Sequence, residues 1–181
     1  MFAVTFITQV LNGLQLGSIY ALVALGYTMV YGIILLLNFA HGDIIMVGAY
    51  ISWLVMSKLG LNPAIAVVLS IVGCMLLGVL IDKVAYAPLR DAPRLSILIT
   101  AIGVSYFLEN GSQLLFGADA KVVPAYTSVS NIQVGDLTLS FSAIVTVVVT
   151  AVATVVLTFL VQKTKLGKAM RAVSEDKAAA R

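Results

Sequence analysis

Asn38-Phe39-Ala40-His41-Gly42-Asp43 is a polar island in an apolar sequence, and the fold turns on how it is read. From residue 1 to residue 57 the only formal charge is Asp43, and His41, the only histidine of the chain, stands two residues before it. A carboxylate at the centre of a membrane helix costs roughly 2.5–3.5 kcal/mol on insertion scales, so it sits at an interface, in a cavity or beside a partner. Asn38 and Gly42 disfavour helix continuation. Asp43, followed by Ile44-Ile45-Met46-Val47, reads as an N-cap whose carboxylate accepts from free backbone N–H groups. One helix is therefore expected to end near Leu37 and another to begin near Ile44. The break belongs at the membrane surface, or within the membrane where protein or a water-filled cavity satisfies the backbone. Broken helices of the second kind recur in transporters.

Hydrophobic residues fill 61% of the 181 positions and charged residues 10%, which excludes an ordinary soluble domain. Apolar segments reach the ~20 residues a helix needs to cross a bilayer, and alternating barrel-type segments are absent, so the class is all-α and polytopic, with about five to six transmembrane segments expected. The formal charge of +3 is carried by basic residues clustered in two loops beside apolar spans. That is the positive-inside pattern rather than a nucleic-acid footprint. One cysteine, Cys74, permits no internal disulfide, and the scattered His, Cys and carboxylates predict no metal and no cofactor. No G-x-x-x-x-G-K-[ST] run occurs, so the chain is read as no enzyme and as having no nucleotide site of the P-loop kind.

Taken outward from the island, residues 4–37 form an apolar tract that fits one long kinked helix or two shorter pieces, with Gly13, Gly17 and Ala21 as a small-residue stripe for close helix packing. Further apolar segments cover residues 44–57, 64–81, 95–116 and 141–161. Pro63 suits the first turn of the third of these five tracts. Residues 117–136 read as an external loop, in which Asn131-Ile132-Gln133-Val134, a Gly135-Asp136 link and Leu137-Thr138-Leu139-Ser140 signal a hairpin. Lys83, Arg90 and Arg94 make one basic loop and residues 163–181 another, placing both in the cytoplasm and the turn 58–63 outside. Leu166, Ala169, Met170 and Val173 share one face of a short amphipathic helix, opposite Lys168, Arg171 and Glu175. The division expected is a transmembrane domain over 1–165 and a cytoplasmic helix over 166–181.

Four runs in order resemble the permease subunits of high-affinity branched-chain amino acid ABC importers. They are Asn12-Gly13-Leu14-Gln15-Leu16-Gly17-Ser18-Ile19-Tyr20-Ala21-Leu22; the polar island with Gly48-Ala49-Tyr50; Ala92-Pro93-Arg94-Leu95 with Ile99-Thr100-Ala101-Ile102-Gly103-Val104-Ser105; and Leu166-Gly167-Lys168-Ala169-Met170-Arg171-Ala172-Val173 with Glu175-Asp176 and Ala178-Ala179-Ala180-Arg181. The resemblance implies a multi-pass subunit of the bacterial cytoplasmic (inner) membrane, working in the lipid bilayer with a second permease, two cytoplasmic ATP-binding subunits and an external solute-binding protein. It implies branched-chain amino acids as solutes, with urea or short amides the alternative within the family; a secondary transporter is the alternative outside it. Family members continue through about three further spans, so the resemblance also implies a fragment truncated within the coupling segment.

The substrate-path candidates are Asn38, His41, Asp43, Glu109 and Asn110, Asp43 being read either as an N-cap or as a path-lining carboxylate. Glu109 stands where the family is expected to carry an uncharged glutamine. The resemblance assigns ATPase coupling to residues 166–181, with Gly167, Arg171, Glu175, Asp176 and Ala179 as its candidates.

Overall fold

A computed structural model describes residues 2–34, 38–90, 92–124, 132–134 and 137–175. The elements in order are α1 (Phe2–Ile34), α2 (His41–Trp53), α3 (Pro63–Ile81), α4 (Arg94–Phe116), β1 (Ile132–Val134), β2 (Leu137–Leu139), α5 (Phe141–Lys163) and α6 (Lys165–Glu175). A π-helical turn, Leu54–Lys58, extends α2; a π-helical turn, Asp82–Tyr86, and a 3-10 turn, Ala87–Leu89, extend α3. The chain forms two compact units, one of residues Met1–Leu35 with Val129–Arg181, the other of Leu36–Ser128.

In the first unit, the apolar tract at the N-terminus is one helix of 33 residues. Its length is about 50 Å, well beyond the ~30 Å of a hydrocarbon core. α1 packs on α5, α6 and β2. Ser18 and Thr150 are buried where α1 meets α5, and the Thr150 hydroxyl lies 3.3 Å from the Ser18 carbonyl and 2.8 Å from that of Thr146. The stripe of Gly13, Gly17 and Ala21, expected to be a packing seam, is exposed, and a Cβ on either glycine would meet nothing within 4 Å. The seam is made by Ser18 instead. The hairpin forms as expected, antiparallel with Ile132 opposite Leu139 and Val134 opposite Leu137; the Gly-Asp link lies outside the described residues.

In the second unit, Asn62 caps α3, its side chain accepting from the Ala64 N–H at 2.8 Å, and Pro63 occupies the first turn, where its missing N–H costs nothing. α2 lies antiparallel to α3 along a seam of small residues. The Cys74 thiol donates to the Ile44 carbonyl at 3.4 Å, the Ser70 hydroxyl to the Gly48 carbonyl at 3.0 Å, and Ser52 and Ser70 hydroxyls are 2.7 Å apart. A Cβ on Gly48 would stand 2.8 Å from the Cys74 sulfur, so glycine is what lets the two backbones approach.

Burial follows the same rule throughout. Among the described residues no large side chain is fully buried; the buried positions are mostly small, Ala40, Ala66, Ala101, Ser18, Ser52, Ser112 and Thr150 with Val55 and Ile81, while dozens of large apolar residues face outward. This is the distribution expected where lipid, as apolar as leucine, leaves helix association to close packing and hydrogen bonds. Among the described residues three helices are long and apolar enough to cross a membrane, Val4–Gly32, Pro63–Leu89 and Phe141–Lys163, rather than the five or six expected. The difference has a physical cause: α2 has only 13 residues, and α4, though 23 residues long, carries Glu109, Asn110 and Gln113 in its second half.

Candidate functional site

The polar island folds as a tight turn into α2. Asn38 organises it: its backbone carbonyl accepts from the His41 N–H at 3.1 Å and its side-chain oxygen from the Ala40 N–H at 3.1 Å. The Tyr86 hydroxyl, at the end of the α3 extension, donates to that same side-chain oxygen at 2.7 Å. Helix α2 then begins at His41, three residues earlier than the sequence suggests, with Ala40 in the cap position and no side-chain cap.

Asp43 is therefore not the N-cap. It lies in the first turn of α2, where the positive end of the helix dipole favours a carboxylate by about 0.3–1 kcal/mol. Its Oδ2 accepts from the Ser105 hydroxyl of α4 at 2.5 Å. Sequence reasoning missed this pairing because the partners are 62 residues apart. A carboxylate offers about four acceptor sites, so the bond to Ser105 leaves Asp43 able to receive a cation or a further N–H or O–H donor.

The depth of the turn follows from its neighbours. Ile44 is level with Cys74, which is about 16 Å along α3 from Pro63 and about 22 Å from Leu89 at 1.5 Å per residue. Ser105 is likewise about 16 Å along α4 from Arg94. Asp43 and Ile44 thus lie midway along two long helices, while Asn38, bonded to Tyr86, reaches toward the basic end of the α3 extension. Helix α2 begins inside the layer that those helices define, the arrangement in which irregular backbone must be covered by protein or water.

The remaining candidates divide. The His41 backbone belongs to the turn, and its side chain is partly buried. Glu109 and Asn110 are exposed on α4; the Asn110 amide donates to the Tyr106 carbonyl at 2.7 Å, and among the described residues no hydrogen bond joins either to the Asn38–Asp43 turn.

In the first unit, α5 turns sharply into α6 at Thr164. The Thr164 hydroxyl donates to the Leu160 carbonyl at 2.5 Å and accepts from the Gly167 N–H at 3.1 Å, so one residue closes α5 and caps α6. A Thr directly before an amphipathic run is an N-cap signal that the reading of the sequence passed over. Gly167 is buried, and a Cβ there would strike the carbonyl oxygens of Leu160 (2.5 Å) and Val161. Met170 and Arg171 line a groove of about 220 Å³ with Thr28, Met29, Gly32 and Val161, while Arg171 Nη2 reaches the Gln162 carbonyl at 3.4 Å. The apolar face expected from the spacing is split by this packing: Met170 turns toward α1 and α5, whereas Leu166, 64% exposed, and Ala169 point away. Glu175 is exposed; Asp176 and Ala179 lie outside the described residues.

Residues 9–181 match the family model described as branched-chain amino acid transport system / permease component. The chain belongs to this permease family. The permease chain is 40% identical over 186 residues to the high-affinity branched-chain amino acid transport system permease protein LivH of Escherichia coli strain K12, covering 94% of this chain and 59% of that protein. It is 39% identical over 184 residues to the corresponding protein BraD of Pseudomonas aeruginosa, covering 94% and 60%. LivH of Salmonella typhimurium is 39% identical over 185 residues, covering 94% and 59%. The permease chain thus spans about three fifths of the length of the curated relatives it matches. No solved structure matches it.

Proposed function

We propose that this chain forms part of the permease of an ABC importer that carries branched-chain amino acids across the bacterial cytoplasmic membrane, with ATP hydrolysed on separate subunits. The observation that carries the reading is its 39–40% identity, over 94% of its length, to permeases so named. The partners are a second permease, two ATP-binding subunits and an external solute-binding protein. Residues 1–165 supply the membrane domain, with the basic ends 83–94 and 163–181 in the cytoplasm and 117–136 outside. The helix break at Asn38 to Asp43 lines the solute path: it puts a carboxylate midway along α4 beside an interrupted backbone, an arrangement that costs stability anywhere lipid alone surrounds it. Helix α6 takes up the motion of the ATPase through its outward residues Leu166, Ala169 and Glu175, the corner being fixed by Thr164 and Gly167.

The test is uptake by the complete transporter in proteoliposomes. ATP-dependent, saturable uptake of leucine, isoleucine or valine in excess of urea and short amides is expected. Uptake driven by an ion gradient without ATP would contradict the proposal.

A further inference from the structure

Eleven lysines and arginines occur in the chain, and nine lie at residues 83–94 or 163–181. The other two are Lys58 and Lys121, both in the second unit and both at the ends of α3 and α4 opposite Arg90 and Arg94. Positive residues are depleted on that side of membrane proteins. Yet the fold brings these two, 63 positions apart in sequence, to one spot: each ammonium nitrogen is 5.7 Å from the centre of the Trp53 ring. That is within cation–π range.

The spot is built by several segments. Trp53 packs edge-on against Phe116 with centroids 6.3 Å apart, and Phe116 stacks on Tyr50 at 4.6 Å, so three rings from α2 and α4 form one aromatic cluster that holds the Trp53 ring in place. The two glycines with positive φ among the described residues, Gly60 (63°) and Gly117 (82°), flank it. Gly60 turns the chain just after Lys58, and Gly117 ends α4 and returns the chain so that Lys121 comes back over the ring. Among the described residues the only ion pair is Arg90–Asp82, so neither lysine is neutralised by a carboxylate, Asp119 included. Two cations beside one ring with no carboxylate partner leave this spot locally positive, and an opposing negative charge is attracted to it.

We infer that the Trp53 platform, with Lys58 and Lys121, is the docking surface for an acidic patch on a water-soluble protein outside the membrane. This rests on the permease reading above, which places this end outside and supplies a soluble partner there. Anionic lipid is the weaker occupant, because the negative surface potential that draws basic segments to a bilayer belongs chiefly to the cytoplasmic leaflet. Aromatic side chains are enriched at protein interfaces, and charges opposite in sign across an interface steer the encounter.

The experiment uses the complete transporter in phosphatidylcholine nanodiscs and its solute-binding protein. The association rate is measured over a range of salt for the wild type, a Lys58→Gln/Lys121→Gln pair and a Lys58→Arg/Lys121→Arg pair. Uptake by the wild-type complex checks the permease reading separately; the differences among the three forms check this inference. The Gln pair should associate roughly ten-fold more slowly at low salt and lose most of its salt dependence, while the Arg pair keeps both. Unchanged rate and salt slope in a properly inserted Gln pair would overturn the inference. So would an unchanged rate accompanied by weaker retention in phosphatidylglycerol bilayers, which would make the lysines lipid anchors.

Discussion

Two stretches carry the same small-x-x-x-small spacing and come to opposite ends. Gly48 and Ser52 on α2 meet Ser70 and Cys74 of α3, with a hydroxyl pair at 2.7 Å and no room for a Cβ at Gly48. Gly13 and Gly17 on α1 face outward, with nothing within 4 Å of where a Cβ would stand. The spacing alone permits close approach; whether it occurs depends on what the facing helix offers. Opposite Gly48 stand side chains small enough to let the backbones close and polar enough to bond the carbonyls laid bare. Gly167 marks the far end of this scale, since there the obstacle is main chain, which has nowhere to move.

The contrast yields a graded set of alanine substitutions, measured in full-length protein by unfolding titration. Gly167→Ala should be the most damaging, at about 3 kcal/mol, because overpacking against the Leu160 and Val161 carbonyls forces the α5–α6 corner open. Loss of co-purifying ATPase in that variant, with insertion intact, would tie the corner to coupling. Gly48→Ala should cost about 1–2 kcal/mol, and Cys74→Ala beside it should recover much of that by removing the sulfur 2.8 Å away. Gly73→Ala meets only the tip of Ile51, Cδ1 at 2.5 Å, and should cost under about 1 kcal/mol as that side chain turns. Gly13→Ala should leave the subunit unchanged or more stable by up to about 1 kcal/mol, the helix-propensity gain. A Gly13 effect as large as that of Gly48 would break the comparison.

The same contrast separates what could be read in the sequence from what could not. Apolar length placed α1, α3, α4 and α5, and Pro63 and the Gly-Asp link placed a helix start and a hairpin, since each depends on residues close together in the chain. Fewer helices are long and apolar enough to span by length and composition than expected, because α2 has 13 residues and the second half of α4 is polar. Asp43 looked like a cap because the residues around it fit one; its partner, Ser105, arrives only through the packing of α4. Tyr86 on Asn38 and Lys121 on Trp53 are equally non-local. Within α6, periodicity found the amphipathic helix but not which residues its own chain would use, so Met170 faced inward and Leu166 did not.

The central claim is that the turn from Asn38 to Asp43, with its carboxylate held midway along α4 by Ser105, lies on the route of the solute. Initial rates of ATP-dependent leucine uptake by the full-length transporter carrying Asp43→Asn or Ser105→Ala test it directly, with subunit assembly and solute-free ATP hydrolysis checked in parallel. Asp43→Asn keeps the size of the side chain and its bond to Ser105 while removing the charge, and uptake should fall at least about ten-fold with assembly retained, a loss of roughly 1.4 kcal/mol or more. Ser105→Ala, which leaves the charge in place, should show a smaller fall. Wild-type uptake in a fully assembled Asp43→Asn transporter would contradict the claim and return Asp43 to a purely structural role at the start of α2.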